Sequence, residues 1–112
     1  MRTLAKEGQL LRIFIGESDK KGQGPLYEWI VQQARQQKMA GATVLRGIQG
    51  FGAHSLIHTT KILRLSEDLP VVVEIVDVPD KIEAFLELIE PSIKEGLVTL
   101  EKAHIRIYRH RP

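Results

Sequence analysis

The residues of this chain with the clearest chemical potential form one short run, Arg46-Gly47-Ile48-Gln49-Gly50-Phe51-Gly52. Its glycines at positions 47, 50 and 52 allow positive φ angles and a close approach of the backbone to a ligand. Successive backbone amides in such a turn can form a nest for an anion, to which a guanidinium adds a charge-assisted contact. The glycine order matches neither the dinucleotide fingerprint nor the phosphate loop. The run is therefore either an anion-binding turn or a flexible hinge for the segment that follows.

A second group of cations, Arg106, Arg109, His110 and Arg111, lies near the carboxyl end of the chain. Arginines at the end of a strand can neutralise phosphate, and the alternative is a solvated, frayed tail. The formal net charge is only +2 and aromatic residues make up 5% of the chain. Nucleic-acid binders need a basic surface, and single-strand binders need aromatic stacking platforms. We therefore expect a small anion, and no nucleic acid, as the partner of this group.

Metal binding and catalysis have weaker support. His54 and His58 are four residues apart and would share one face of a helix, but no third ligand is convincing nearby. Glu74 stands among valines and isoleucine, where a carboxylate serves in catalysis, faces a polar interface or pairs with an arginine. No nucleophile and base, and no pair of carboxylates, can be argued from the spacing. We expect no metal site and no enzymatic activity.

Composition limits the class of protein. The 112 residues are enough for one domain, and the absence of cysteine excludes disulfides. No apolar run reaches the length of about 18 residues that spans a bilayer, and charges interrupt the amino terminus where a signal peptide would be apolar. We expect a cytoplasmic protein without membrane insertion. It would consist of a flexible leader (1–9), one domain (10–109) and a short tail (110–112).

Apolar spacing predicts the elements that must position these residues. The first half of the chain contains a strand over 10–15, a helix from Pro25 to a cap at Gly41, and a strand over 42–48. A long excursion over 53–66 follows. The second half contains a strand over 71–76, a helix from Pro79 that Pro91 kinks or breaks, and a last strand or pair of strands over 97–109. Two strand–helix–strand units interleave most simply as an α+β, ferredoxin-like βαββαβ fold. Its antiparallel sheet would carry both helices on one face, with the first and third strands central.

The two strands predicted to be central are apolar on both faces, but the helices can cover only one of them. The second face must be buried by something else, and self-association is the simplest solution. We therefore expect an obligate homo-oligomer.

Four stretches of residues, 11–20, 24–28, 41–52 and 69–77, carry a family resemblance. Through them the chain from about residue 10 to 109 resembles an uncharacterised prokaryotic family, domain of unknown function 190. That family is similar in turn to the PII signalling proteins. The resemblance implies a PII-like homotrimer that binds a small anionic ligand, such as an adenine nucleotide, in clefts between subunits. It also implies that a mobile loop, here 53–66, contacts a regulated protein.

The resemblance also assigns residues. Arg46 and Gly47 stand where PII proteins have a basic residue and a glycine before their mobile loop, and Arg106 matches the first of two alternating arginines. Tyr108 replaces the second of these arginines. Together with the glycine turn described above, these matches lead to the hypothesis of a ligand site in which Arg46, Arg106 and Arg109 neutralise phosphate, the amides of Gly47, Gly50 and Gly52 surround it, and Glu17 and Lys20 close over it. The alternative is a trimeric metal- or ion-handling protein, similar to the cation-tolerance proteins or acting as a partner of an ion transporter, that would use His54 and His58.

Overall fold

Two α-helices and a four-stranded antiparallel sheet make up most of the part of the chain that the computed structural model describes, residues 4, 6–52 and 68–111. The elements are β1 (Glu7–Gly16), β2 (Lys20–Lys21), β3 (Gly24–Pro25), α1 (Leu26–Gln36), β4 (Thr43–Arg46), β5 (Pro70–Asp77), α2 (Pro79–Ile89), a 3-10 helix (Glu90–Ser92) and β6 (Leu97–His104). The strand order β4-β5-β1-β6 is that of a ferredoxin-like sheet, and β2 and β3 form a separate small hairpin. The predicted fold class is therefore confirmed, with the first and third long strands in the centre.

Alternate side chains of the central strands form one half of the core. Leu11, Ile13 and Ile15 of β1 face the helices together with Val71, Val73 and Ile75 of β5. The helices supply the other half at helical spacing, with Leu26, Ile30 and Ala34 from α1 and Ile82, Phe85, Leu86 and Ile89 from α2. Because these positions recur every three or four residues, each helix presents one apolar stripe to the sheet.

The ends of α1 and β6 differ from the prediction. Helix α1 ends at Gln36 rather than at Gly41, because Lys38 adopts a left-handed conformation with a φ of 58°. The ammonium of Lys81 donates hydrogen bonds to the carbonyls of Gln37 and Lys38, 2.9 and 3.2 Å away. It thus supplies a donor to carbonyls at the helix end that have no partner within the helix. Strand β6 ends at His104, because its partner strand β1 begins at Glu7, and beyond this pair the amide of Ile105 bonds the carbonyl of Lys6.

Two other boundaries bear on the prediction. The first three residues of β1 belong to the segment predicted as a leader, and each of them is paired: Glu7 and Gly8 with β6, and Gln9 with both β5 and β6. Pro91 falls in the 3-10 helix that follows α2, as expected for a proline that breaks the last turn. The predicted excursion over 53–66 lies outside the described residues. Neither of the described helices is long and apolar enough to cross a membrane.

The second face of the sheet, which we call the open face, is apolar around a charged centre. Leu10, Phe14, Val72 and Val76 lie on it, each partly exposed. At its centre the Arg12 guanidinium contacts Glu74 of β5 at 2.9 Å and Glu101 of β6 at 2.5 Å. The hydrogen bond to Glu74, followed by attraction to both carboxylates, raises the pKa of Arg12 above its ordinary value. Arg12 therefore stays positively charged at any physiological pH, and the interaction is not lost there as the pH rises.

Two leucines of α2 provide a matched test of the core. Leu86 is 4% exposed and Leu88 is 42% exposed. We expect Leu86→Ala to lower the free energy of unfolding by about 2–5 kcal/mol, since it removes buried methyl groups and leaves a cavity. Leu88→Ala should cost less than about 1 kcal/mol. Urea unfolding followed by circular dichroism measures both, and equal losses would contradict the packing described here.

Candidate functional site

One end of the sheet brings together three chain segments, and we call it the Arg46 end. Strands β1 and β4 end there, and β5 begins there. The amide of Glu17 donates to the carbonyl of Leu69 at 2.8 Å, and the amide of Gly47 donates to the carbonyl of Pro70 at 2.7 Å. The guanidinium of Arg46 forms an ion pair with the carboxylate of Glu17. The structure therefore brings Arg46, Glu17 and Gly47 together, and the Glu17 carboxylate, which was expected to close over a ligand, pairs with Arg46 itself.

The glycines of the predicted nest have different roles. A side chain on Gly47 would place its Cβ 2.8 Å from Cγ of Pro70, so only glycine fits there. Its amide is engaged by Pro70 and does not point to a ligand. Gly50 has a φ of +151° and also lies against Pro70, whereas a Cβ at Gly52 would meet nothing within 4 Å. In this conformation Gly47 therefore packs the turn against β5 and does not act as an anion-binding amide.

A small cavity next to this end contains two cations that the resemblance did not bring together. It has a volume of about 120 Å³ and is lined by Asp19, Lys20, Leu26, Ser92, Lys94 and Glu95. Lys20 was a predicted site residue, and Lys94 comes from the link between α2 and β6. Sequence reasoning missed Lys94, because no local pattern marks a lysine in the link between α2 and β6 as part of a site.

A larger groove of about 540 Å³ lies at the opposite end of the sheet. Residues 40–43 form one wall and residues 103–108, which include Arg106, form the other. Leu10, Glu74 and Val76 of the open face also line it. Arg109 is not among its lining residues. The groove therefore combines apolar surface, backbone polar groups, one carboxylate and one guanidinium.

Two residues that the sequence analysis did not assign to the site hold this groove in shape. Asp77 is fully buried, and its two carboxylate oxygens accept hydrogen bonds from the amides of Ala40 and Val78, at 2.9 and 2.7 Å. The hydroxyl of Tyr108 donates to the carbonyl of Ala40 at 3.1 Å. Ala40 is thus held on both of its backbone groups, and the two walls are joined across the groove.

The predicted arginines lie far apart in a single chain. Arg46 pairs with Val71, which pairs with Ile15, and the amide of Ile105 bonds the carbonyl of Lys6. Arg46 is therefore level with Ile15 along β1, and Arg106 lies beside the level of Lys6. Nine residues of extended chain separate Lys6 from Ile15, which is roughly 30 Å. No small ligand can contact Arg46 and Arg106 of the same copy. The two ends can share one ligand only if they belong to different copies.

The described residues contain no group of three or more histidine, aspartate, glutamate or cysteine side chains that could hold a metal ion. His54 and His58, the residues of the metal-handling alternative, lie outside the described part. That alternative gains no support from the geometry.

Solved structures place this arrangement of strands and helices in a known class. The chain is similar to CPII from Thiomonas intermedia K12 bound to ADP, AMP and acetate, with a TM-score of 0.64 and 14% identity over 90% of each chain. A CPII structure with ADP and bicarbonate from the same organism has a TM-score of 0.62 and 18% identity, over 92% of this chain and 90% of that one. CPII is described as a nitrogen regulatory PII-like protein. The fold is therefore PII-like.

Sequence comparison then shows the family. A family model described as "Uncharacterized ACR", domain of unknown function 190, matches residues 8–105. A UPF0166 protein of Aquifex aeolicus is 40% identical over 105 residues, covering 94% of this chain and 97% of that protein. A UPF0166 protein of Methanocaldococcus jannaschii is 32% identical over 100 residues, covering 88% and 92%. The chain belongs to the domain of unknown function 190 family, as its sequence predicted.

The bond between Tyr108 and Ala40 can be tested by removing one oxygen atom. We expect Tyr108→Phe to lower the free energy of unfolding by about 1 kcal/mol, because the hydrogen bond is lost. Amide hydrogen exchange over residues 105–111 should become faster, because their tie to the other wall is gone. Tyr27→Phe, the same change on α1 away from the groove, is the control. Unchanged exchange in Tyr108→Phe would show that the bond does not hold the wall.

Proposed function

We propose that this protein is a PII-like regulator that binds an adenine nucleotide in clefts between its own copies. The observation that carries this proposal is the separation of the predicted arginines, with Arg46 at one end of the sheet and Arg106 in a ligand-sized groove at the other. A head-to-tail arrangement of copies places one end against the other, and it forms a ring when the rotation between copies closes. Each seam of such a ring would then hold one complete site.

The groove suits a nucleoside in its composition. Its volume falls within the range of roughly 300–1,000 Å³ typical of small-molecule sites. Leu10 and Val76 offer apolar surface to a purine, and the backbone of residues 40–43 offers hydrogen-bonding groups to the edge of the base. Glu74 can accept hydrogen bonds from ribose hydroxyls, and Arg106 can bind phosphate. The nucleotides in the CPII structures, ADP and AMP, support this choice of ligand.

The open face supports self-association. Phe14, Val72 and their apolar neighbours remain partly exposed in one chain, and such a patch favours an interface between proteins. We propose three copies, as in the PII proteins that the chain resembles. Arg12 and its two carboxylates would lie within that interface, already paired.

The proposed output is regulatory rather than catalytic. The described groove contains Glu74, His104 and Arg106, but no nucleophile hydrogen-bonded to a base. We propose that nucleotide binding changes how the segment 53–66 contacts a regulated protein. Residues 46–52 lead into that segment, so a ligand at the Arg46 end would bind beside it.

Calorimetric titration tests the ligand. We expect at least one of ATP, ADP, AMP and cyclic AMP to bind at each seam, and Arg106→Gln to weaken binding by about tenfold to hundredfold through the loss of a charge-assisted hydrogen bond. Lys102→Gln removes the same charge from an exposed residue of β6 that does not line the groove, and it should leave affinity unchanged. No heat with any of the four nucleotides at high protein concentration would exclude this ligand class.

Sedimentation equilibrium tests the assembly. We expect a species of three times the 12.7 kDa chain at micromolar concentration. Phe14→Asp places a charge on the open face and should dissociate it, because an unpaired carboxylate would be buried. Leu88→Asp, which places the same charge on the helix side, should sediment like the unmodified protein. A monomeric unmodified protein at this concentration would end the proposal of sites at seams.

A further inference from the structure

The ion pair between Arg46 and Glu17 is held in place from both sides. Glu17 is tied to Leu69 through its amide, and Gly47, which follows Arg46, is tied to Pro70. Both hydrogen bonds therefore lead to adjacent residues, Leu69 directly before β5 and Pro70 at its start. The Glu17 side chain is 20% exposed and that of Arg46 is 60% exposed. Most surface pairs are weak partly because two long side chains must be ordered to form them. Here the backbone is fixed on both sides of the pair, and the Glu17 side chain is largely buried where the guanidinium meets it.

An anion that approaches Arg46 consequently meets a neutral pair rather than a free cation. To bind the guanidinium it must displace Glu17 or share Arg46 with it, and the Glu17 carboxylate then remains beside the ligand as a like charge. This repulsion grows with the number of negative charges on the ligand. Asp19 and Asp68 lie close by and accept hydrogen bonds from the backbone amides of Gly16 and Ser18, so their charges add to the repulsion without taking part in the Arg46 ion pair.

We propose that Glu17 is a specificity-determining residue that competes with anionic ligands for Arg46. It limits the negative charge that the Arg46 end accepts, so that short phosphate chains bind there in preference to triphosphates. The inference rests on the proposed function only where the ligand is a nucleotide. The competition itself concerns any polyphosphate that reaches Arg46.

The direct test uses inorganic tripolyphosphate, titrated into the isotope-labelled protein while the amide resonances of Gly47 and Glu17 are followed. We expect Glu17→Gln to bind tripolyphosphate about tenfold more tightly than the unmodified protein, because the isosteric amide frees a charge-assisted hydrogen bond of Arg46. The double variant Glu17→Gln with Arg46→Gln should lose this gain. Circular dichroism and sedimentation confirm that each variant keeps its fold and assembly.

A charge-matched control separates competition for Arg46 from a general effect of charge. Asp68→Asn changes the net charge by the same amount at the same end of the sheet, but Asp68 contacts Ser18 and not Arg46. It should raise the affinity for tripolyphosphate by less than about twofold, as expected for a screened charge outside the contact. Equal affinity of the unmodified protein and Glu17→Gln, or an equal gain in Asp68→Asn, would overturn the proposal.

Nucleotides extend the test to the proposed function. Where AMP and ATP bind, Glu17→Gln should shift the ratio of their affinities toward ATP by about tenfold. The reason is that Arg46 regains a charge-assisted hydrogen bond to the longer phosphate chain. An unchanged ratio together with tighter tripolyphosphate binding would overturn the preference for short phosphate chains while leaving the competition intact. If no nucleotide binds to either form, the proposed function fails, and the tripolyphosphate result still decides whether Glu17 competes for Arg46.

Discussion

Both helices pack on the same face of the sheet, and this constraint determines what the rest of the surface must do. Each helix joins strands that are separated by one antiparallel neighbour, so the chain covers one face twice and the other not at all. The central strands nevertheless carry apolar side chains on both faces. A chain of 112 residues has no further element among those described with which to bury the second face. The open face is therefore the origin of the proposed assembly, and the proposed sites at seams follow from it.

The charged group at the centre of the open face favours one specific arrangement of copies over non-specific apolar association. Arg12 lies on the central strand between Glu74 and Glu101, so the cation is paired on both sides before any partner arrives. Burying an unpaired charge is strongly unfavourable, whereas a paired one with satisfied hydrogen bonds is tolerated. In the proposed assembly this group would penalise arrangements that leave either carboxylate facing an apolar surface. In some other assemblies, buried polar groups determine how the subunits are aligned with one another.

The sequence predicted the parts of the fold that depend on local pattern. Apolar residues on both faces of two strands identified them as central, and stripes at helical spacing identified the inner faces of both helices. The end of α1 was wrong, because Gly41 looked like the usual cap while a lysine, Lys38, took the left-handed position. The separation of Arg46 from Arg106 follows from strand register, which no local pattern contains. Asp77 stands out in the sequence as a candidate acid directly after an apolar strand, but its structural role, like the partner of Tyr108, is visible only in three dimensions.

Glu74 connects the two halves of the proposal, because it belongs both to the open face and to the groove. Its carboxylate is bound by Arg12 on the open face, and the same side chain lines the cavity that contains Arg106. In the proposed assembly, burial of the open face strengthens the contact between Arg12 and Glu74, since charges attract more strongly away from water. A carboxylate fixed in this way is available to ribose hydroxyls but repels phosphate, which places the phosphate at the Arg106 side of the groove. Ligand binding and assembly are then thermodynamically linked, because each stabilises the arrangement that the other requires.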